Sequence, residues 1–199
     1  MKILFEVAHG NNVAGKCDPT KTFKEYLYSR EIVPRIVHGL RQRGYDATNL
    51  VPELYEPGLD ERAHRVNVKC HTYGKDECIF ISVHVNASRN GEWGNARGWC
   101  CYTTPGTTRS DTLAEHLYRA AERCFPGHQI RRDKSDKDSD WEKNFYVLRH
   151  TLCPAVLTEN FFMDNKEDLA FLRSEEGKDA IVQCHIDGVI SYLESLNNA

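Results

Sequence analysis

Between Cys78 and Val85 the chain reads Cys78-Ile79-Phe80-Ile81-Ser82-Val83-His84-Val85. A strand with one wet face alternates apolar with polar residues. This one is almost continuously apolar, so it reads as a central strand covered on both sides. Such cover comes from crossover helices that join parallel strands.

The rest of the chain supplies the pieces in alternation. Residues 2–8 and 45–51 read as strands. Residues 97–103 and 154–159 read as further strands, the last of them as core. Helical spacing runs from Phe23 to Arg43 and stops at Gly44. Pro34 inside it predicts a kink or a break. Further helices are predicted from Asp60 to about Tyr73, from Ser110 to Cys124, from Lys166 to Leu172 and from Ser174 to Leu196. In the last, Ile181, Cys184, Val189, Tyr192, Leu193 and Leu196 are the candidate inner positions. Gln129 to Asn144 is polar and of mixed charge, and reads as a solvated loop. The expected fold class is therefore α/β: one domain over residues 1–199, with a central, mostly parallel, twisted sheet flanked by helices.

Composition narrows the function classes. A net charge of −3 gives no electrostatic case for nucleic acid as a partner. No apolar run has the length of a membrane span. The opening residues reach Glu6 and His9 too soon for a signal peptide and read as a strand. The expectation is a chain made in the cytoplasm that reaches its place of action by release or export. The eight cysteines show no C-x-x-C pair and read as reduced, partly buried thiols. Cys100 and Cys101 are adjacent, so in a strand they face opposite sides.

The chemistry collects at strand ends, where open α/β sheets place their ligands. His9 ends the first strand, His84 sits at the end of the most apolar strand, and Glu159 ends the last strand. Glu25 lies in the first turn of the helix after the His9 loop, with Glu31 as a rival one to two turns on. Parallel neighbours would bring two imidazoles and two carboxylates together. Two histidines and one carboxylate form a common ligand set for catalytic zinc, with one position left for water. A second carboxylate can then act as general base. Buried in apolar strands, His84 and Glu159 both need partners.

Four separated segments carry a resemblance: Val7-Ala8-His9-Gly10, Lys24-Glu25, Ile81-Ser82-Val83-His84-Val85-Asn86-Ala87 and Pro154-Ala155-Val156-Leu157-Thr158-Glu159-Asn160-Phe161-Phe162. In this order, with Tyr146-Val147-Leu148-Arg149 before the last strand, they resemble the zinc N-acetylmuramoyl-L-alanine amidases of the amidase-3 type. The resemblance implies zinc held by His9, Glu25 and His84, with Glu159 as the catalytic glutamate. It implies hydrolysis of the amide between N-acetylmuramic acid and L-alanine in peptidoglycan, and so a wall-degrading, bacteriolytic activity. Asn86 and Arg149 are candidate substrate contacts. The Gln129–Asn144 loop, which leads towards Arg149 and Glu159, is expected to border the substrate groove.

Three departures from that pattern stand out. Leu50-Val51-Pro52-Glu53 replaces a frequent Thr-Arg pair, Ser29 stands where asparagine is common, and Thr158 replaces an aliphatic residue. The ligand set also suits a zinc peptidase or carboxypeptidase. A catalytically dead, wall-binding relative is a third reading, although such a copy has no reason to keep both histidines and both glutamates.

Overall fold

The computed structural model describes residues 1–89, 91–135 and 138–197. The strands are β1 (Lys2–Val7), β2 (Asp46–Asn49), β3 (Cys78–Asn86), β4 (Cys100–Thr103), β5 (Trp141–Glu142) and β6 (Ala155–Phe162). The helices are α1 (Glu25–Gln42), α2 (Leu59–Tyr73), α3 (Arg109–Cys124), α4 (Tyr146–Arg149), α5 (Lys166–Arg173) and α6 (Glu175–Asn197). All strands lie in one six-stranded sheet ordered β2-β1-β3-β6-β4-β5. The β2-β1-β3-β6 run is parallel, and β4 lies antiparallel to β6. The expected mostly parallel α/β fold is what the chain adopts.

Strand periodicity sorts the core into two layers. Ile3, Phe5 and Val7 of β1 and Ile79, Ile81, Val83 and Val85 of β3 pack under α1, α3 and α6. Leu4, Phe80, Ala155 and Leu157 point the other way, against Val66 and Cys70 of α2 and Val147 and Leu148 of α4. Ser82, His84 and Glu159 continue this second face along β3 and β6. Here the smaller core gives way to polar residues.

The structure corrects four expectations. First, of the kink or break expected at Pro34, the break does not occur: α1 runs through it. Proline removes one helical hydrogen bond, and this one is exposed, so the carbonyl it leaves free can be solvated. The buried stripe of Ile32, Val33, Ile36 and Leu40 holds the helix on the sheet across the gap. Second, Leu196 is exposed, while the other candidate inner positions of α6 are buried. Third, Glu159 does not end its strand: β6 continues to Phe162, with the register against β3 shifting between His84 and Asn86.

Fourth, the Gln129–Asn144 segment is not simply a solvated loop. Ile130 bridges Trp99 in parallel, Trp141 and Glu142 form β5, and Asp140 is buried, accepting a bond from the Thr103 hydroxyl at 2.5 Å. Asp136 and Lys137 of this segment lie outside the described residues. The attachment depends on Gly98, whose φ of +100° is left-handed and whose added Cβ would lie 2.4 Å from the Gln129 carbonyl oxygen. All eight cysteines are free. Cys101 joins the larger core, and Cys100 lies opposite Glu159 on the other face. Among the described residues, no helix is long and apolar enough to cross a membrane.

A buried ion pair ties α2 to β1 beneath the polar end of the second face. Arg62 Nη1 donates to Glu6 Oε2 at 2.9 Å and to the Val7 carbonyl at 2.8 Å. Ser82 Oγ donates to the other Glu6 oxygen at 2.7 Å. Both charged side chains are 2% exposed. Removing one partner strands a buried charge, so we expect Arg62→Met to lower the unfolding free energy by about 3–5 kcal/mol. Adding Glu6→Gln should recover most of that loss. Equilibrium urea denaturation of the three proteins measures this, and a single-variant loss below about 1 kcal/mol would show the pair to be dispensable.

Candidate metal centre

The parallel register decides where the sequence-predicted residues meet. Val7 of β1 pairs with Val83 of β3, and His84 of β3 pairs with Glu159 of β6. His9 lies just beyond β1, and Glu25 is the first residue of α1. One donor atom each from His9, Glu25 and His84 can be chosen so that all lie within 4.8 Å of one another.

Glu25 is the hub. Its Oε1 lies 3.0 Å from His84 Nδ1 and accepts the Val85 backbone N–H at 3.1 Å. Its Oε2 lies 3.5 Å from His9 Nε2. The two imidazoles stand edge to face, 5.2 Å between centroids. Burial works to raise the Glu25 pKa, but the hydrogen bond to His84 and the two imidazole charges outweigh it and hold the carboxyl below its usual range. Burial works against a charged His84, yet the Glu25 contact raises its pKa. Burial pushes His9 down to about 4, with Glu25 opposing. A neutral His9 is the form that binds a metal.

Glu159 stands apart chemically. It hydrogen-bonds to none of the three, and its Oε2 is buried without a partner among the described residues. Burial and the negative charge of Glu25 push its pKa up to about 8, opposed by His84, Lys16 and Arg131. A buried carboxyl oxygen without a donor is costly unless something outside the chain completes it. The set thus combines three converging ligand atoms with one uncommitted carboxyl, and it fits a tetrahedral cation with an adjacent acid-base group.

Residues the sequence reading missed hold this arrangement. His9 adopts a left-handed φ of +47°, unusual for a residue with a side chain. Arg30 fixes it: Nη1 donates to the carbonyls of Ala8 at 3.1 Å and His9 at 2.8 Å, while Nε reaches the Glu53 carbonyl at 2.9 Å. Ser29 adds a bond to the Ala8 carbonyl at 3.2 Å, so the serine at this departure from the family pattern still braces the loop. At Gly10 a Cβ would lie 2.0 Å from the Glu56 nitrogen, so only glycine allows the 53–56 backbone to close over it. Behind β6, Thr158 meets the buried His185 at 2.9 Å, and Asn160 donates to the His84 carbonyl at 2.8 Å. A polar Thr158 is thus accommodated where an aliphatic residue is usual. No sequence signal distinguished Arg30 or Asn160, because their partners are carbonyls far away in the chain.

Two cavities flank the centre. One, of about 230 Å³, is bounded by Arg62, Leu59, Phe145, Tyr146 and Leu157. The other, of about 320 Å³, is bounded by Lys16, Asn86, Ser88, Arg89 and Met163. His9, His84 and Glu159 face both. Asn86 therefore lies at the centre's edge, its Oδ1 accepting the Ala87 N–H at 2.8 Å. Arg149 is not brought to the centre. It ends α4 and lines a separate cavity with Arg109 and Pro154.

Comparisons with known proteins bear on the family and the fold. The chain is 31% identical over 197 residues to the endolysin of Bacillus phage SPP1, covering 96% of this chain and 65% of that one. It is 32% identical over 146 residues to the N-acetylmuramoyl-L-alanine amidase CwlM of Bacillus licheniformis, covering 71% of this chain and 48% of that one. It thus spans about half to two thirds of the length of these curated relatives. The N-acetylmuramoyl-L-alanine amidase from Clostridium difficile 630 shares the fold, with a TM-score of 0.83 at 23% identity over 98% of this chain and 97% of that one. A family model described as N-acetylmuramoyl-L-alanine amidase matches residues 3–191, a span that includes every residue of the centre, and the chain belongs to that family, Amidase_3.

Proposed function

We propose that the protein is a zinc-dependent hydrolase that cleaves the amide between N-acetylmuramic acid and L-alanine in peptidoglycan. The observation that carries the reading is the convergence of His9, Glu25 and His84 beside the uncommitted carboxyl of Glu159. The bond and substrate rest on family membership. His9, Glu25 and His84 are the residues that would hold zinc, and Asn86 would contact substrate in the cavity it lines. When bound, the cation supplies Lewis acidity toward the attacking water and the scissile carbonyl.

The chain's own residues do the rest. Glu25, tied to the Val85 backbone, keeps both imidazoles aimed at one point. Arg30 holds His9 in its left-handed turn, so ligand geometry is set before substrate arrives. Glu159 accepts the proton of the attacking water and returns it to the departing L-alanine amine. Beside a divalent cation, its carboxyl is drawn back toward the ionised form that a base requires. In this reading the chain is made in the cytoplasm and acts on the wall after release or export.

Exhaustive chelation should abolish hydrolysis of purified peptidoglycan, and about one equivalent of zinc per chain should restore it. The products should be new L-alanine amino groups on an intact glycan. Cleavage at other peptide bonds would instead identify a peptidase. Activity that survives chelation with no metal bound would remove zinc from the scheme.

The two glutamates should fail differently. Glu25→Gln replaces an anionic ligand by a neutral one, so zinc affinity should fall and excess zinc should restore part of the activity. Glu159→Gln should keep its zinc while turnover falls by about two to four orders of magnitude. Zinc content and turnover measured side by side decide the matter. Loss of zinc from Glu159→Gln with retention in Glu25→Gln would reverse the roles.

A further inference from the structure

Beyond the metal centre, on the face that carries Glu159, lies a group with no assigned task. In register across the sheet, Leu157 of β6 pairs with Tyr102 of β4, and Tyr102 pairs with Trp141 of β5. Tyr102 touches Trp141 and Phe145, with ring centroids 6.4 and 5.3 Å apart. All three rings are half-buried and form a shelf one to two strands from Glu159. The Arg131 guanidinium packs over Trp141 at 5.4 Å and over Phe162 at 4.9 Å.

Arg131 is unlike the other structural arginines of this chain. Arg30 and Arg62 use their donors on carbonyls and carboxylates. Arg131 is half-buried, yet its side chain makes no hydrogen bond and no ion pair with any described residue. Its backbone is pinned: the amide donates to the Trp99 carbonyl at 2.8 Å, and its own carbonyl accepts from Tyr118 Oη at 3.0 Å. The aromatic rings cover the guanidinium plane, which leaves the in-plane N–H fork as the means of binding a ligand. Its contacts with Phe162 of β6 and Trp141 of β5 put it across β4, and its charge acts on Glu159, Cys100 and Tyr102.

We propose that Arg131 is a specificity-determining residue that binds a carboxylate of the stem peptide on the leaving side of the scissile amide. This rests on the amidase reading above. A planar fork with fixed donors matches a carboxylate in two parallel hydrogen bonds. Strands are spaced about 4.8 Å apart, so a guanidinium held between Phe162 of β6 and Trp141 of β5, two strands over, lies within roughly 10 Å of β6. Extended peptide covers that distance in about three residues at ~3.3 Å each. The carboxylate is therefore expected one to three residues beyond the L-alanine whose amine is released.

The test uses the zinc-loaded protein and two soluble muramyl peptides that differ at one group. The residue after L-alanine carries either a free carboxylate or its primary amide. The wild type should prefer the acid by about 10–100-fold in kcat/KM, the usual worth of a charge-assisted hydrogen-bonded contact. Arg131→Gln should lose that preference, mainly through a higher KM on the acid, with little change on the amide. Arg131→Lys, which keeps the charge without the fork, should fall between. Unchanged zinc content and melting temperature show that a variant is folded. If Arg131→Gln proves unfolded, the Arg131→Lys comparison decides alone: equal losses on both substrates overturn the proposal. A wild type that cleaves both substrates within about twofold overturns the carboxylate assignment and leaves the amidase reading standing. A wild type that cleaves neither substrate nor whole peptidoglycan overturns both.

Discussion

The parallel pairing of β1, β3 and β6 is the constraint on which the centre depends. It sets the ends of three strands abreast, so that His9, His84 and Glu159 arrive from different parts of the chain at one edge. A slip of one residue in β3 would turn His84 into the larger core and bring Val85 to the site. Register is held against such a slip by burial on both faces. Ile79, Ile81 and Val83 fill one core while Phe80 fills the other, and neither face tolerates the exchange.

Around that edge the chain has assembled polar groups that a core would normally exclude, and nearly every one is matched. Glu6 has Arg62 and Ser82, Glu25 has His84 and the Val85 amide, and Asp164 accepts the Ser88 and Arg89 amides at 2.7 Å each. Among the described residues, Glu159 differs from these in having no hydrogen-bonded oxygen at all, and Arg131 in meeting only aromatic rings. Both lie on the same face of the sheet. In the proposed reading these are the two groups that substrate would complete.

The left-handed turn at His9 shows how stability is traded for geometry. A residue with a side chain costs about 1–2 kcal/mol in that conformation. Arg30 and Ser29 offset this through bonds to the carbonyls of Ala8 and His9. The result is an imidazole whose direction is set by backbone hydrogen bonds, which is what a ligand needs if it is to be in place before the metal.

Much of this was legible in the chain itself. The apolar run at 78–85 and the alternation of helical and strand segments determined the fold class, because hydrophobic periodicity reports which faces must be covered. The histidines and glutamates at segment ends named the candidate centre, because such groups are costly inside an apolar strand without a partner. Tertiary structure alone decided what depends on contacts between distant residues. The antiparallel β4, the attachment of the 129–144 segment through Gly98, and β5 arise from pairings over long sequence separations that local pattern does not encode. Arg30, Arg62, Asn160 and Arg131 look like ordinary polar residues in a linear string. Their roles come from carbonyls, carboxylates and rings brought to them from elsewhere, and only the folded chain brings those together.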